Sequence, residues 1–248
     1  MIEGLLEQAA YVEDADDEKA LWARFRETMA RAGFDWSIYI TRADGDPANV
    51  YIESDLRGHE ERAVRPGAVF EPFLRYCCDS YEITATGVEF MADYPYLDAA
   101  SREFIEMAGR QGFRSGLGIP MRLQSSGRYG GFNLGTRMDR TRFEREIWPH
   151  REAVRAFCLI VHRRAESLLD AERRRSIATR MPAVLSPRER QCIVLLAGGL
   201  RVQAIADALG IGEAAVSLYL RNARRKLKAR TREQLVAMAL TEGRSAGG

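Results

Sequence analysis

The chain has 248 residues, of which 46% are hydrophobic and 29% are charged. This composition excludes a disordered or low-complexity chain and leaves room for one large or two modest globular domains. The longest apolar runs, such as residues 156–161, are too short to span a membrane, and the acidic N-terminus is unlike a signal peptide. The four cysteines have no CxxC spacing, so we expect a cytoplasmic protein with buried free thiols and no metal site.

The formal net charge of +2 is distributed unevenly along the chain. Residues 186–248 contain 11 lysines and arginines and 5 acidic residues, whereas residues 1–185 contain 26 basic and 30 acidic residues. A short basic segment behind a larger acidic one indicates a polyanionic partner for the C-terminal part. A C-terminal segment whose basic residues are only solvated would have the same composition. The sequence motifs are needed to distinguish these two interpretations.

The first 165 residues alternate between helical and strand patterns. Residues 18–32 carry apolar side chains at spacings of three and four, which is typical of an amphipathic helix. Further helices are predicted over residues 70–76, 98–110 and 143–169, and strands over residues 36–41, 49–53, 115–123 and 129–136. Antiparallel strand pairs flanked by helices predict an α+β fold, here an α/β/α sandwich around an antiparallel sheet.

The helix predicted over residues 143–169 contains Pro149, which should kink it or mark its start. We expect this helix to end around Arg173, within an arginine-rich stretch that leads to Pro182. The resulting domain prediction is a ligand-sensing domain over residues 1–172, a linker over 173–185 and a DNA-binding domain over 186–248.

The C-terminal segment is predicted to form four helices. Ser186-Pro187-Arg188-Glu189 combines a capping box with proline at the first helical position, and the helix that it starts stops at Gly198-Gly199. A short helix over residues 202–209 is closed by Gly210, and further helices follow over residues 213–228 and from Thr231. Two helices joined by a glycine turn are typical of a helix-turn-helix domain.

The third of these helices, residues 213–228, carries two different stripes. Val216, Leu220, Ala223 and Leu227 form an apolar stripe, which we expect to be buried. A helix fits the major groove of B-DNA, where an opposite polar stripe can meet base edges and phosphates. We predict base contacts from Arg221 and Arg225, supported by Ser217 and Asn222, and phosphate contacts from Arg224, Lys226 and Lys228. The alternative is a small helical bundle whose basic surface only confers solubility.

The C-terminal sequence, from LSPRERQCIVLLAGG to AMAL, closely resembles the four-helix DNA-binding domain of LuxR-type regulators. Glu189, Ile193 and Gly199 match the family's hallmark glutamate, aliphatic residue and glycine. The resemblance implies a homodimer that binds double-stranded DNA at a pseudo-palindromic site. Arg201 and Val202 stand where the family usually opens its second helix with Thr or Ser, so we expect a lost cap and more reliance on arginine.

The N-terminal region is similar to the autoinducer-binding domain of quorum-sensing LuxR-type proteins. Residues 104–121 match the family's helix-to-strand segment, with Gly116 at its hallmark glycine. The resemblance implies a pocket for an acyl-homoserine lactone between the sheet and a helical layer, built from a Trp, a Tyr, an Asp-Pro pair and a second Trp. This chain has Glu71-Pro72 for Asp-Pro and Thr86 for the second Trp, and residues 55–62 contain neither aromatic.

These departures change the expected ligand. A lactone carbonyl without its tryptophan donor would stay unpaired, at a cost of about 1–3 kcal/mol. We therefore expect a regulator gated by a different small molecule or by none; the alternatives are a lactone-responsive regulator and a protein that sequesters another LuxR-type protein. Candidate pocket residues are Trp36, Tyr39, Tyr51, Glu71, Tyr76, Thr84, Thr86, Leu117 and Asn133. Ordinary core packing would explain the aromatic residues equally well.

Catalysis and cofactors are not expected. The chain has three histidines, His59, His150 and His162, and no GxSxG, HExxH or phosphate-loop motif. We expect dimerisation to involve the N-terminal domain and its long helix, because small helix-turn-helix domains rarely bury enough area alone.

Overall fold

The computed structural model describes residues 2–43, 46–59, 82–122, 128–181 and 184–241. The chain divides into two compact units, Met1–Glu166 and Ser167–Gly248. They are called the N-terminal unit and the C-terminal unit below. None of the helices over the described residues is long and apolar enough to cross a membrane.

The N-terminal unit contains a five-stranded antiparallel sheet. Its strand order is β2-β1-β5-β4-β3, so β2 and β3 are the edge strands. The strands are β1 (Trp36–Ala43), β2 (Asp46–Ser54), β3 (Thr84–Thr86), β4 (Ser115–Arg122) and β5 (Arg128–Thr136). The four predicted strands are confirmed, and the three-residue strand β3 is an addition to them.

Three helices of the N-terminal unit, α2 (Glu18–Arg31), α3 (Ala99–Arg110) and α4 (Arg140–Glu146), begin at aspartate caps. The carboxylates of Asp17, Asp98 and Asp139 each accept a hydrogen bond from a backbone N–H of the first turn, at 2.8–2.9 Å. The unit also contains α1 (Ala9–Glu13) and the first part of α5 (Arg151–Arg180), whose residues from Ser167 onward belong to the C-terminal unit. Short 3-10 segments cover Ile2–Gln8, Val88–Asp93 and Trp148–His150.

Helices cover both faces of the sheet. On one face, Tyr39 of β1 and Phe132 of β5 pack against Trp22 and Phe25 of α2, and Phe25 stacks on Phe157 of α5. We call this the α2/α5 face. On the α3 face, Trp36, Ile38 and Ile40 form a buried cluster with Ala108 and Phe113 at the end of α3. The predicted α/β/α sandwich of the α+β class is confirmed.

The prediction of a continuous helix over residues 143–169 is wrong, but the interruption predicted at Pro149 is confirmed. Its first part is α4, which ends at Glu146, and a 3-10 turn containing Pro149 separates it from α5. The expected end near Arg173 is also wrong, because α5 continues to Arg180. Residues 173–180 contain no glycine or proline, and arginine and alanine favour helix, so nothing stops the helix before Pro182. The domain limits 1–172, 173–185 and 186–248 stay a prediction.

The four-helix prediction for the C-terminal unit is confirmed. Its helices are α6 (Pro187–Ala197), α7 (Val202–Leu209), α8 (Glu213–Lys226) and α9 (Arg232–Thr241). The Ser186 hydroxyl accepts from the Glu189 N–H at 3.3 Å, and the Glu189 carboxylate accepts from the Ser186 N–H at 2.7 Å, which completes the capping box. Gly210 closes α7 at φ +62°, a conformation that glycine adopts without strain.

The apolar stripe of α8 fills the core of the C-terminal unit. Val216, Leu220 and Ala223 are at most 2% exposed and join Ile193 of α6 and Ile205 of α7 in one cluster. This part of the predicted stripe is confirmed. Leu227, which follows the helix, is only partly buried against the same cluster.

Candidate nucleic-acid interface and ligand cavity

The surface of α8 opposite its apolar stripe is open. Ala214, Ser217, Leu218, Arg221 and Arg225 are exposed on it, and we call these five residues the outer surface of α8. The spacings of three and four residues place them on one side of the helix. Lys228 is exposed just after the helix, in a left-handed conformation with φ +57°.

An ion pair between an exposed lysine and a buried glutamate joins the C-terminal end of α8 to α6. The Lys226 ammonium donates to a Glu189 carboxylate oxygen at 2.8 Å, and the Glu189 side chain is 4% exposed. Burial alone would raise the pKa of Glu189, but the hydrogen bonds from Lys226 and Ser186 outweigh it and lower the pKa. The family-hallmark glutamate therefore has two roles here, capping α6 and holding α8.

The seven predicted DNA contacts have different environments. Ser217, Arg221, Arg225 and Lys228 are exposed, and Asn222 is half-buried. Arg224 instead donates to the backbone carbonyl of Arg230, and Lys226 is held by Glu189. Both cations already have a partner within the unit, but Lys226 is also exposed, so all seven DNA contacts stay predictions.

Two further features of the C-terminal unit bear on this surface. Arg201 at the N-cap of α7 and Gly212 at the N-cap of α8 make no side-chain cap hydrogen bond, as the departures from the family suggested. The sequence interpretation missed Leu218, which is 43% exposed although leucine is usually buried. A helical projection with Val216 and Leu220 on the inner side would have placed it on the outer surface.

The predicted pocket residues of the N-terminal unit separate onto the two faces of the sheet. Trp36, Thr84, Thr86 and Asn133 lie on the α3 face, in register rows that include Ile38. The Thr86 hydroxyl donates to the Asn133 side-chain carbonyl at 2.7 Å, and both residues are buried. The indole of Trp36 stacks on Phe113, with ring centroids 6.0 Å apart.

Tyr39, Tyr51 and Leu117 lie on the α2/α5 face. The Tyr39 hydroxyl is 2.8 Å from Nδ1 of His162, and the Tyr51 hydroxyl accepts from the Trp22 indole N–H at 2.8 Å. Burial and the nearby Glu18 carboxylate raise the pKa of Tyr51. Residues on opposite faces of a sheet cannot line one pocket, so these three cannot share a ligand with Thr86 and Asn133. Glu71 and Tyr76 lie outside the described residues.

A small cavity lies between the sheet and α3. Its volume is about 10 Å³, which is room for about one water molecule. The lining residues are Ile38, Leu56, Gly87, Phe104, Ile105, Ala108, Phe113 and Asn133. The described part of this face is therefore closely packed around one polar side chain, Asn133.

His59 lies beside this cavity and was not among the predicted pocket residues. It is 3% exposed, its ring lies 5.4 Å from that of Phe104, and its Nδ1 has no hydrogen-bond partner in the structure over the described residues. Burial lowers the pKa of His59 to about 4, so the imidazole is neutral at physiological pH. Sequence periodicity gives no indication of such a residue, because its burial depends on contacts with a distant helix.

A larger cleft opens at the edge strand β3. Its volume is about 470 Å³, and Thr84 lines it together with the aromatic rings of Phe90, Tyr94 and Trp148. Arg140 also lines it and forms ion pairs with Asp93 and Glu144, both at 2.9 Å. Over the described residues, no group of three His, Cys, Asp or Glu side chains could hold a metal ion.

Two family models match the chain. The model for bacterial regulatory proteins of the luxR family matches residues 183–239, and the model for the autoinducer binding domain matches residues 17–165. The chain belongs to the LuxR family of bacterial regulatory proteins. The family resemblance predicted from the sequence is confirmed, and this LuxR-family protein is a transcriptional regulator with an autoinducer-binding domain and a helix-turn-helix domain.

Some solved structures are similar to this chain at low sequence identity. One is the N-acylhomoserine lactone dependent LuxR family factor CepR2 from Burkholderia cenocepacia, with 19% identity and a TM-score of 0.48 over 68% of this chain and 95% of that chain. Another is SdiA from Escherichia coli, with 15% identity and a TM-score of 0.37 over 98% of this chain and 96% of that chain. No curated protein matches the chain, so its family membership rests on the two family models.

Proposed function

We propose that this LuxR-family protein is a dimeric, sequence-specific DNA-binding regulator, whose N-terminal unit responds to a small molecule other than a typical acyl-homoserine lactone or to none. The observation that carries the DNA-binding part is the outer surface of α8. Arg221 and Arg225 are exposed there while the leucine side of the same helix is buried. A helix presented in this way can enter the major groove without any rearrangement of its own unit.

Different side chains of the C-terminal unit contact different parts of the DNA. Arg221 and Arg225 contact base edges, and guanine is the base whose two acceptors match an arginine best. Ser217 and Asn222 support them, and Lys228 pairs with a phosphate. Arg224 and Lys226 hold α8 in place through Arg230 and Glu189 instead of contacting phosphate.

Two protomers would place their α8 helices in successive major grooves, about one helical turn apart on a pseudo-palindrome. The exposed side of α5 supports a dimer contact in the N-terminal unit. Leu159 is 42% exposed there, and its neighbours Ala156 and Ile160 are half-buried. An apolar strip on a long helix is the kind of surface that a second copy covers.

The ligand part of the proposal rests on the α3 face. Thr86 stands where the lactone-binding family has tryptophan, and it donates to Asn133 rather than presenting an indole N–H. A titration of the full chain with acyl-homoserine lactones of several chain lengths tests this part. We expect no heat of binding at micromolar concentrations, and micromolar or tighter binding would favour the lactone-responsive alternative.

The DNA-binding part is tested by enriching sites from a random-sequence library with the full chain and measuring gel shifts. We expect an enriched pseudo-palindrome, and Arg221→Ala should weaken binding to it by about 1–3 kcal/mol. Arg110→Ala, at an exposed arginine at the end of α3, is the matched control and should leave binding unchanged. Failure to enrich any sequence would reject DNA recognition and favour the sequestering role.

A further inference from the structure

The two halves of the outer surface of α8 differ in the polarity and charge of their side chains. Its N-terminal half exposes Ala214, Ser217 and Leu218, and its C-terminal half exposes Arg221 and Arg225. Leu218 is the largest apolar side chain on this surface, at 43% exposed, whereas Val216 and Leu220 on either side are at most 2% exposed. The half that lies nearer the helix N-terminus, where helix-turn-helix proteins contact base edges, therefore has no basic residue, and its exposed Glu213 is acidic.

We infer that Leu218 is a specificity-determining residue that contacts the 5-methyl group of a thymine in the major groove. This inference rests on the proposed DNA-binding function. Among the base edges of the major groove, thymine is the one that presents a methyl group to an apolar side chain. Against the other edges, leucine would remove water from hydrogen-bonding groups and leave them unpaired, which is unfavourable.

The position of Leu218 also restricts where the thymine lies. Leu218 and Arg221 are three residues apart on the helix, so their Cβ atoms are about 5–6 Å apart. Successive base pairs along one strand are separated by about 3.4 Å. The thymine should therefore lie one or two base pairs from the guanine that Arg221 contacts, in each half-site.

A single exposed leucine is common on protein surfaces and by itself indicates nothing. Leu6, Leu159 and Val184 are also exposed in this chain, at 49%, 42% and 55%. What distinguishes Leu218 is its place between Ser217 and Arg221, at the centre of the surface that enters the groove. The inference can therefore be tested against an exposed apolar residue elsewhere.

The test replaces thymine by uracil, one position at a time in both half-sites of the enriched site, since uracil differs only by the missing methyl group. We expect one position where the full chain binds the uracil site more weakly, by about fourfold for each half-site, the value of one buried methyl group. Leu218→Ala should bind thymine and uracil sites equally at that position. Val184→Ala, the matched control, should keep the wild-type discrimination.

The outcomes separate this inference from the proposed function. Binding that needs Arg221 but ignores every thymine methyl would overturn the role of Leu218 and leave DNA recognition intact. The same conclusion follows if Leu218→Ala keeps the discrimination, or if no thymine occurs within two base pairs of a conserved guanine in the enriched half-site. Failure to bind any DNA would overturn both.

Discussion

The two units differ in the hydrogen-bond pairing of their buried polar groups. In the C-terminal unit, the buried carboxylate of Glu189 is paired with Lys226 and also caps α6. In the N-terminal unit, Thr86 and Asn133 satisfy one another, but His59 is buried with an imidazole nitrogen that has no partner over the described residues. Buried polar groups that have hydrogen-bond partners favour one rigid arrangement. A buried polar group without a partner lowers the stability, and a ligand or a rearrangement that supplies a partner can restore it. The C-terminal unit also has one such atom, Nε of Arg224, so the contrast concerns two side chains: over the described residues Glu189 is paired and Nδ1 of His59 is not.

The largest effect should come from breaking the paired carboxylate. Glu189→Ala removes the acceptor of the Ser186 N–H and a charge-assisted hydrogen bond from Lys226, so the C-terminal unit should lose about 2–4 kcal/mol of unfolding free energy. All three tryptophans, Trp22, Trp36 and Trp148, lie in the N-terminal unit. Circular dichroism should therefore show early loss of helix while the tryptophan fluorescence transition keeps its position.

Glu213→Ala is the control for this experiment, because Glu213 is an exposed carboxylate in the first turn of α8. It should change the unfolding free energy by less than about 1 kcal/mol, the usual value of a charge near a helix end. An equal shift of both spectroscopic transitions by Glu189→Ala would contradict the idea that the pair acts within one unit.

The unpaired histidine predicts a pH dependence in the other unit. His59 has a folded pKa of about 4, below its ordinary value of 6.5, so the unfolded chain binds more protons between these values. The N-terminal unit should lose up to about 3 kcal/mol as pH falls from 7 to 4, since each pKa unit corresponds to about 1.36 kcal/mol. Full stability is kept above pH 6.5.

His59→Phe should remove this part of the pH dependence and should stabilise the N-terminal unit at pH 7, because an apolar aromatic ring replaces the imidazole and its unpaired nitrogen. Denaturant unfolding followed by tryptophan fluorescence at pH 7, 5.5 and 4.5 measures both effects. His150→Gln, at a half-buried histidine before α5, should keep the wild-type slope. A variant that is less stable at pH 7 would mean that His59 is an ordinary core residue.

The two units also differed in how far the sequence could predict them. In the C-terminal unit the decisive contacts are local: the capping box joins residues three apart, and Gly210 closes α7 by its own conformation. Even there, α8 ends at Lys226 and not at Lys228, because Lys228 adopts a left-handed backbone conformation. No sequence pattern predicts that conformation.

In the N-terminal unit the strands could be predicted and the pocket could not. Strand alternation alone puts Trp36 and Tyr39 on opposite faces of β1, since they are an odd number of residues apart. Which face meets a ligand depends on contacts such as that between Tyr39 and His162, 123 residues apart. The three-residue strand β3 is too short to show a period, and the predictions for Glu71 and Tyr76 stay untested.

A glycine substitution compares the packing of the two units. A Cβ at Gly116 would lie 2.7 Å from the Phe113 ring, 2.7 Å from the Thr86 hydroxyl and 2.5 Å from the backbone carbonyl of Leu134. Gly116→Ala should therefore destabilise the N-terminal unit by about 2 kcal/mol, as overpacking of a core does. Gly212→Ala has open space around it and should cost less than about 1 kcal/mol, because the only loss is that alanine is a poorer N-cap than glycine for α8. Unfolding followed by tryptophan fluorescence should show a loss of stability for Gly116→Ala and no change for Gly212→Ala. Equal changes would mean that the α3 face is packed loosely enough to accept the added methyl group.

The smallest expected effect distinguishes two neighbouring cations of the C-terminal unit. Lys228 is exposed beside the outer surface of α8, whereas Lys226 is bound to Glu189. If Lys228 pairs with one phosphate per half-site, Lys228→Gln should reduce the salt slope of the dimer, the change of log affinity with log salt, by about 2.

Lys226→Gln should change that slope less, because the Lys226 ammonium is already paired with the Glu189 carboxylate, and should lower the stability of the C-terminal unit instead. Both slopes are measured on the enriched site at temperatures where circular dichroism shows each variant folded. The total slope of the wild type should be about −7 to −9 if each protomer contacts about 4–5 phosphates, and a value shallower than about −3 would reject the basic surface as the DNA contact. A slope that falls with Lys226→Gln but not with Lys228→Gln would reverse the assignment, because it would mean that the ion pair with Glu189 opens when DNA binds.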